Sequence, residues 1–119
     1  EVLMSAGYHH FIIEQGATFG QTLTLKDSAG STINLVGFTA AMTLKQTPSS
    51  TDAILSLTTA NGRMTINGSA GTVALLITST DTKNLDPKDG VYDMEITSGA
   101  GIVSRIIEGT FSIRRNITT

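Results

Sequence analysis

The sequence predicts an all-β domain of two packed antiparallel sheets, on three observations. Apolar and polar residues alternate with a period of two along most of the chain. Gly-, Asn- and Asp-rich clusters break that alternation every ~8–12 residues, and no segment sustains the 3.6-residue period of a long helix. Composition agrees. Charged residues make up only 15% and apolar residues 39%, with 12 glycines, and the abundant Thr and Ser suit exposed pleated faces.

Tyr8 to Glu14 reads as a first strand and Phe19 to Lys26 as a second, with Phe19, Leu23 and Leu25 on one face. Asp27-Ser28-Ala29-Gly30 supplies a turn, opened by Asx chemistry and closed by a permissive Gly. Phe38 to Lys45 alternates cleanly, with Phe38, Ala40, Met42 and Leu44 on one face and Thr39, Ala41, Thr43 and Lys45 on the other. Gln46 to Asp52 is a polar, flexible loop containing Pro48. Ile54 to Thr58 is a short strand. Asn61-Gly62 and Asn67-Gly68 are hairpin signals around Met64-Thr65-Ile66, because both residue types tolerate positive φ. Thr72 to Thr78 follows.

Ser79 to Leu85 breaks the pattern: capping residues come first and Leu85 last, which predicts one helical turn near 80–85 that crosses between sheets and plugs the core edge. Val91 to Ser98 then places Tyr92, Met94 and Ile96 inward, Ser98 to Gly101 is a tight connection, and Ile102 to Ile113 is a last strand bulged at Gly109. About seven to eight strands at this spacing favour a sandwich over a barrel. Asp89-Gly90-Val91-Tyr92, just after the crossing turn, sits where a tyrosine corner would, which favours an immunoglobulin-like antiparallel β-sandwich; an ordinary half-buried strand tyrosine is the equal alternative. At 119 residues the chain fits one domain. Residues 1–6 read as a flexible N-terminal extension, with Met4 resembling a second start site, and 7–119 as the sandwich.

Charge and composition narrow the function. The net charge of −2 and the absence of any basic run beyond Arg114-Arg115 argue against nucleic acid as a partner. No apolar run reaches ~18 residues, so no membrane span is expected, and Glu1-Val2-Leu3 lacks the basic start of a signal peptide. With no cysteine, packing and strand pairing alone hold the fold.

Candidates for chemistry are few, and neither a catalytic residue nor a cofactor or metal site is expected. His9 and His10 are neighbours on a strand and point to opposite faces, so they form neither a dyad nor a shared metal site. Asp93 and Glu95 share one strand face, close enough to interact, and carboxylates so placed are in principle an acid/base pair. Asp81, Asp86 and Asp89 flank the crossing loop, where calcium would seek oxygen ligands, but their spacing matches no calcium loop; solvated carboxylates are the simpler reading. Gly99-Ala100-Gly101 is a hairpin turn rather than a phosphate loop, since no helix or Lys follows. Asn67-Gly68-Ser69 and Asn116-Ile117-Thr118 match the glycosylation triplet, which is common by chance.

Partners leave clearer marks. Arg105 and Glu108 flank Ile106-Ile107, so adjacent positions of one strand are apolar. One isoleucine is expected in the core and the other against a neighbouring element or another chain. Leu76 likewise points away from Val73, Leu75 and Ile77. Leu76, Arg105, Ile107 and Glu108 are therefore the candidate interface residues.

The order of pieces carries a resemblance. Glu14-Gln15-Gly16-Ala17-Thr18-Phe19 leads to Lys26-Asp27-Ser28-Ala29-Gly30, then Asn34-Leu35-Val36-Gly37-Phe38-Thr39-Ala40-Ala41-Met42 and Leu57-Thr58-Thr59-Ala60-Asn61-Gly62. Ser79-Thr80-Asp81-Thr82, Val91-Tyr92-Asp93-Met94-Glu95 and Ile106-Ile107-Glu108-Gly109 close the series. From Gly7 to Thr119 it resembles a family of small tailed-phage proteins, common in marine and cyanobacterial phages, labelled virion structural protein. It is similar in layout to the immunoglobulin-like N-terminal domain of phage baseplate upper proteins. The resemblance implies a non-enzymatic component of the phage particle, made in the host cytoplasm, that joins neighbouring subunits in the tail or baseplate. Its implied partners are other virion proteins and further copies of itself. A capsid decoration protein is the rival within that class. A carbohydrate- or host-binding sandwich is the alternative outside it, weakened by the lack of Trp for a sugar platform.

Overall fold

Period-2 patterning becomes two-faced strands where one face can be buried. Strand β3 (Thr39–Lys45) buries Ala40, Met42 and Leu44, and β7 (Lys88–Thr97) buries Tyr92, Met94 and Ile96. The remaining elements are β1 (Gly7–Glu14), β2 (Phe19–Thr24), β4 (Leu55–Thr58), β5 (Met64–Asn67), β6 (Thr72–Ile77), the short helix α1 (Ser79–Lys83) and β8 (Val103–Arg114). The computed structural model describes residues 7–27 and 29–115, with the backbone alone for Gly7, Tyr8 and His9. The expected extension 1–6 and the Asn116 triplet lie outside the described residues.

A five-stranded sheet, ordered β1-β8-β7-β3-β4, packs on a three-stranded one, ordered β2-β6-β5. The β7–β8 hairpin lies beside β3 while β2 and β6 pair in the opposite sheet, which is the immunoglobulin-like arrangement. One ladder departs from the antiparallel rule: β1 runs parallel to β8, from Gly7 opposite Ile107 to Glu14 opposite Arg114. Parallel neighbours need a long connection, and here nearly the whole domain serves as one. The two sheets close on Phe111, Ile13, Leu44, Leu57, Leu75 and Met94, all but inaccessible to solvent. Phe11 joins the layers, its ring edge-on to Phe19 at 5.7 Å and against Tyr92 at 5.0 Å.

Most turns follow their sequence chemistry. Asp27 Oδ1 accepts from the backbone N–H groups of Ala29 and Ser31, both at 3.0 Å. Thr78 caps α1, which carries the chain from β6 in one sheet to β7 in the other and delivers buried Leu85 to the core edge. Two turns differ. Asn61-Gly62 makes no hairpin, since β4 and β5 belong to different sheets. Gly62 alone takes positive φ (82°) there. Asn61 works through its side chain, its Oδ1 accepting from Thr58 N at 3.1 Å and Arg63 N at 3.0 Å; the turn thereby redirects the chain across the sandwich. In β8 the irregularity falls at Ile106, not Gly109: Met94 faces Ile107, Glu95 faces Arg105, and Ile106 is the extra residue of a bulge.

Candidate functional site

That bulge shapes the outer face of the five-stranded sheet. In an unbroken strand Arg105 would share the inward parity of Ile107, Gly109, Phe111 and Ile113. The extra residue resets the phase, so Ile106 enters the core and Arg105 faces outward opposite Glu95. Bulges re-aim side chains in this way beside functional sites. Strand register then sets the neighbours in rows. Lys45, Val91, Thr110 and His10 form one row across β3, β7, β8 and β1; Thr43, Asp93 and Glu108 form the next.

Arg105 spans two carboxylates, with Nε 3.3 Å from Asp93 Oδ2 and one terminal nitrogen 3.7 Å from Glu108 Oε1. Its side chain is 54% exposed, so these pairs are worth at most about 1 kcal/mol of stability; their effect is to orient the three groups. Beside them a hollow of about 480 Å³ opens over Val91, with Thr43 and Lys45 on one flank and Pro48 as its lip. The lip is a hydroxyl-braced turn. Thr47 N donates to Ser50 Oγ at 3.1 Å, and Ser50 N returns to the Thr47 carbonyl at 3.0 Å, with Pro48 in the second position that favours its fixed φ. Lys45 has no ion-pair partner among the described residues.

The other sequence candidates are placed as follows. His10 is exposed on the same sheet face, its Nδ1 2.6 Å from Thr110 Oγ1 and its Nε2 3.2 Å from Ser112 Oγ. The His9 side chain lies outside the described residues. Asp93 and Glu95 do share the outer face of β7, but both stand over Arg105 rather than over each other alone. Asp81 is paired with Arg63, which reaches its Oδ2 with Nε at 3.2 Å and a terminal nitrogen at 2.8 Å. Among the described residues no three His, Cys, Asp or Glu side chains gather as a metal site. Gly99-Ala100-Gly101 is a hairpin turn, closed by Gly101 N on the Ser98 carbonyl at 2.9 Å.

Of the four interface candidates, Arg105 and Glu108 belong to the hollow. Leu76 is 45% exposed on the outer face of the three-stranded sheet, opposite Gly20. Ile107 is half-buried and packs against the core from a position opposite Met94. The bulge thus turns both isoleucines towards the core. No family model matches the chain, and no curated protein matches it significantly.

A second surface, unmarked in the sequence reading, lies at the end of the sandwich where β3 and β8 begin. Leu35 N donates to the Gly68 carbonyl at 2.9 Å, and a Cβ built on Gly99 would touch the Gly37 carbonyl at 3.7 Å. The stretch 32–38 of the β2–β3 connection is therefore gathered with the connections 68–71 and 98–102. These three stretches carry no charged residue, while Lys26 and Asp27 stand earlier in the same β2–β3 connection, with Lys26 bridged to Thr32. Val36, Ile102 and Val103 stand there 69%, 66% and 57% exposed. The lone signal in the sequence was the absence of charge through 28–44 and 96–104.

Proposed function

We propose that the chain is a non-enzymatic structural protein of a tailed-phage particle, acting in the tail or baseplate by joining neighbouring subunits. The observation that carries this reading is the loop end of the sandwich with its exposed Val36, Ile102 and Val103. Exposed apolar groups clustered at one site mark protein contacts on surfaces that are otherwise polar, and loops gathered at the end of a sandwich are its usual binding edge. The ordered resemblance to phage virion proteins supplies the particle as the setting.

Mass spectrometry of purified particles tests the reading, with the protein expected at stoichiometric, symmetry-related copy number. Absence from the particle would overturn it. Cryo-microscopy of the same particles then fixes the location: density on the capsid shell would reassign the protein to capsid decoration.

A further inference from the structure

We infer that the hollow on the outer face of the five-stranded sheet is a binding site for a neutral polyhydroxylated ligand, a saccharide. Two observations converge on it. The β8 bulge delivers Arg105 to this face, between Asp93 and Glu108, and the braced turn at Pro48 raises a lip against the same row of residues. Both features are in place before any ligand arrives, which is the preorganisation that binding requires. The volume of about 480 Å³ falls within the range of small-ligand sites.

Charge selects the ligand class. The hollow sets two cations, Lys45 and Arg105, against two anions, Asp93 and Glu108, so its net charge is zero. An anionic ligand near Lys45 would meet Asp93 one row away, and a cation near Asp93 would meet Arg105. Neither gains net attraction. Neutral hydroxyls, in contrast, both donate and accept, and so satisfy ammonium and carboxylate groups together through charge-assisted bonds. Lys45 has its donors free among the described residues, Asp93 and Glu108 keep acceptor lone pairs beyond the Arg105 contacts, and Val91 offers an apolar floor for ring C–H groups. Tyr92 also lines the hollow, but its ring is buried against Phe11 and offers no aromatic face, so without a platform the affinity is weak, with Kd on the order of 1 mM.

This site is independent of the particle reading, and the two fail separately. The test is two-dimensional amide NMR of the labelled protein titrated with methyl glycosides of glucose, galactose, mannose and N-acetylglucosamine, and with maltose. Inorganic phosphate and methylammonium serve as charged comparators. At least one saccharide is expected to shift the amides of Thr43, Lys45, Val91, Asp93 and Glu108 to saturation, with the charged probes inert. Asp93→Asn and Glu108→Gln should each weaken that binding on the order of tenfold with the rest of the spectrum intact, while Glu14→Gln, at the far end of β1, leaves it unchanged. The assignment is overturned if no saccharide shifts those amides, if the shifts map elsewhere, or if a charged probe binds as tightly.

Discussion

Thr82 shows how one side chain fastens two distant parts of this chain. It is the only buried polar residue among those described. Its hydroxyl donates to the Ala17 carbonyl at 2.8 Å and accepts from Gly16 N at 3.1 Å, tying α1 to the β1–β2 corner. Thr82→Val keeps the shape and strands both backbone groups, so the expected loss is about 1–3 kcal/mol by urea denaturation. A loss below ~0.5 kcal/mol, the scale of an ordinary surface change, would show that the corner is held by other contacts. Gly90 makes the complementary case, where the side chain must be absent. A Cβ there would press on the Lys45 carbonyl and come within 2.5 Å of the Phe111 ring, which is fully buried. Gly90→Ala is therefore expected to cost about 1–3 kcal/mol through overpacking, measurable in the same experiment.

At the scale of elements, the faces of β3 and β7 were legible because alternation needs only local sequence. Ala40, Met42 and Leu44, like Tyr92, Met94 and Ile96, lie where the period placed them. The helix was legible too, since capping chemistry and Leu85 are local signals. Sheet membership was not. Asn61-Gly62 has the chemistry of a tight turn whether it joins paired strands or crosses the sandwich, and only distant pairing decides between them. The β8 bulge was half-legible: Ile106-Ile107 broke the alternation, but which residue is extra depends on the facing strand. For the same reason the hollow could not be found from sequence, because its residues meet only through the register of β3, β7 and β8. Deleting Ile106 should regularise the ladder, leaving Ile107 opposite Met94 and Arg105 opposite Glu95. The cost would be that of one buried side chain, about 2–5 kcal/mol. Cross-strand NMR contacts showing Arg105 opposite Ile96 would contradict that account. Ile107→Asp places a charge against the core cluster, and the expected outcome is a monomer less stable by about 2–4 kcal/mol. Unchanged monomer stability with lost assembly would instead return Ile107 to the interface role expected from sequence.

The whole molecule is zoned by charge. Lys83, Asp86 and Lys88 crowd the end where β7 begins, while at the opposite end the uncharged stretches 32–38, 68–71 and 98–102 surround Val36, Ile102 and Val103. A second exposed apolar group, Leu76, stands on the outer face of the three-stranded sheet, beside Arg63, whose carbonyl accepts from Leu76 N at 2.8 Å. If the sandwich joins subunits, one of these surfaces is the joint, and folding is insensitive to both because their side chains already face solvent. Val36→Lys combined with Ile102→Lys should therefore change stability by only about 0.5 kcal/mol per site, yet abolish self-association in sedimentation experiments and incorporation into particles. Leu76→Lys serves as the matched substitution on the other surface and should leave both intact. The reverse pattern would move the joint to the sheet face. Loss in neither variant would remove the apolar surfaces from the assembly, and with them the observation on which the structural role rests.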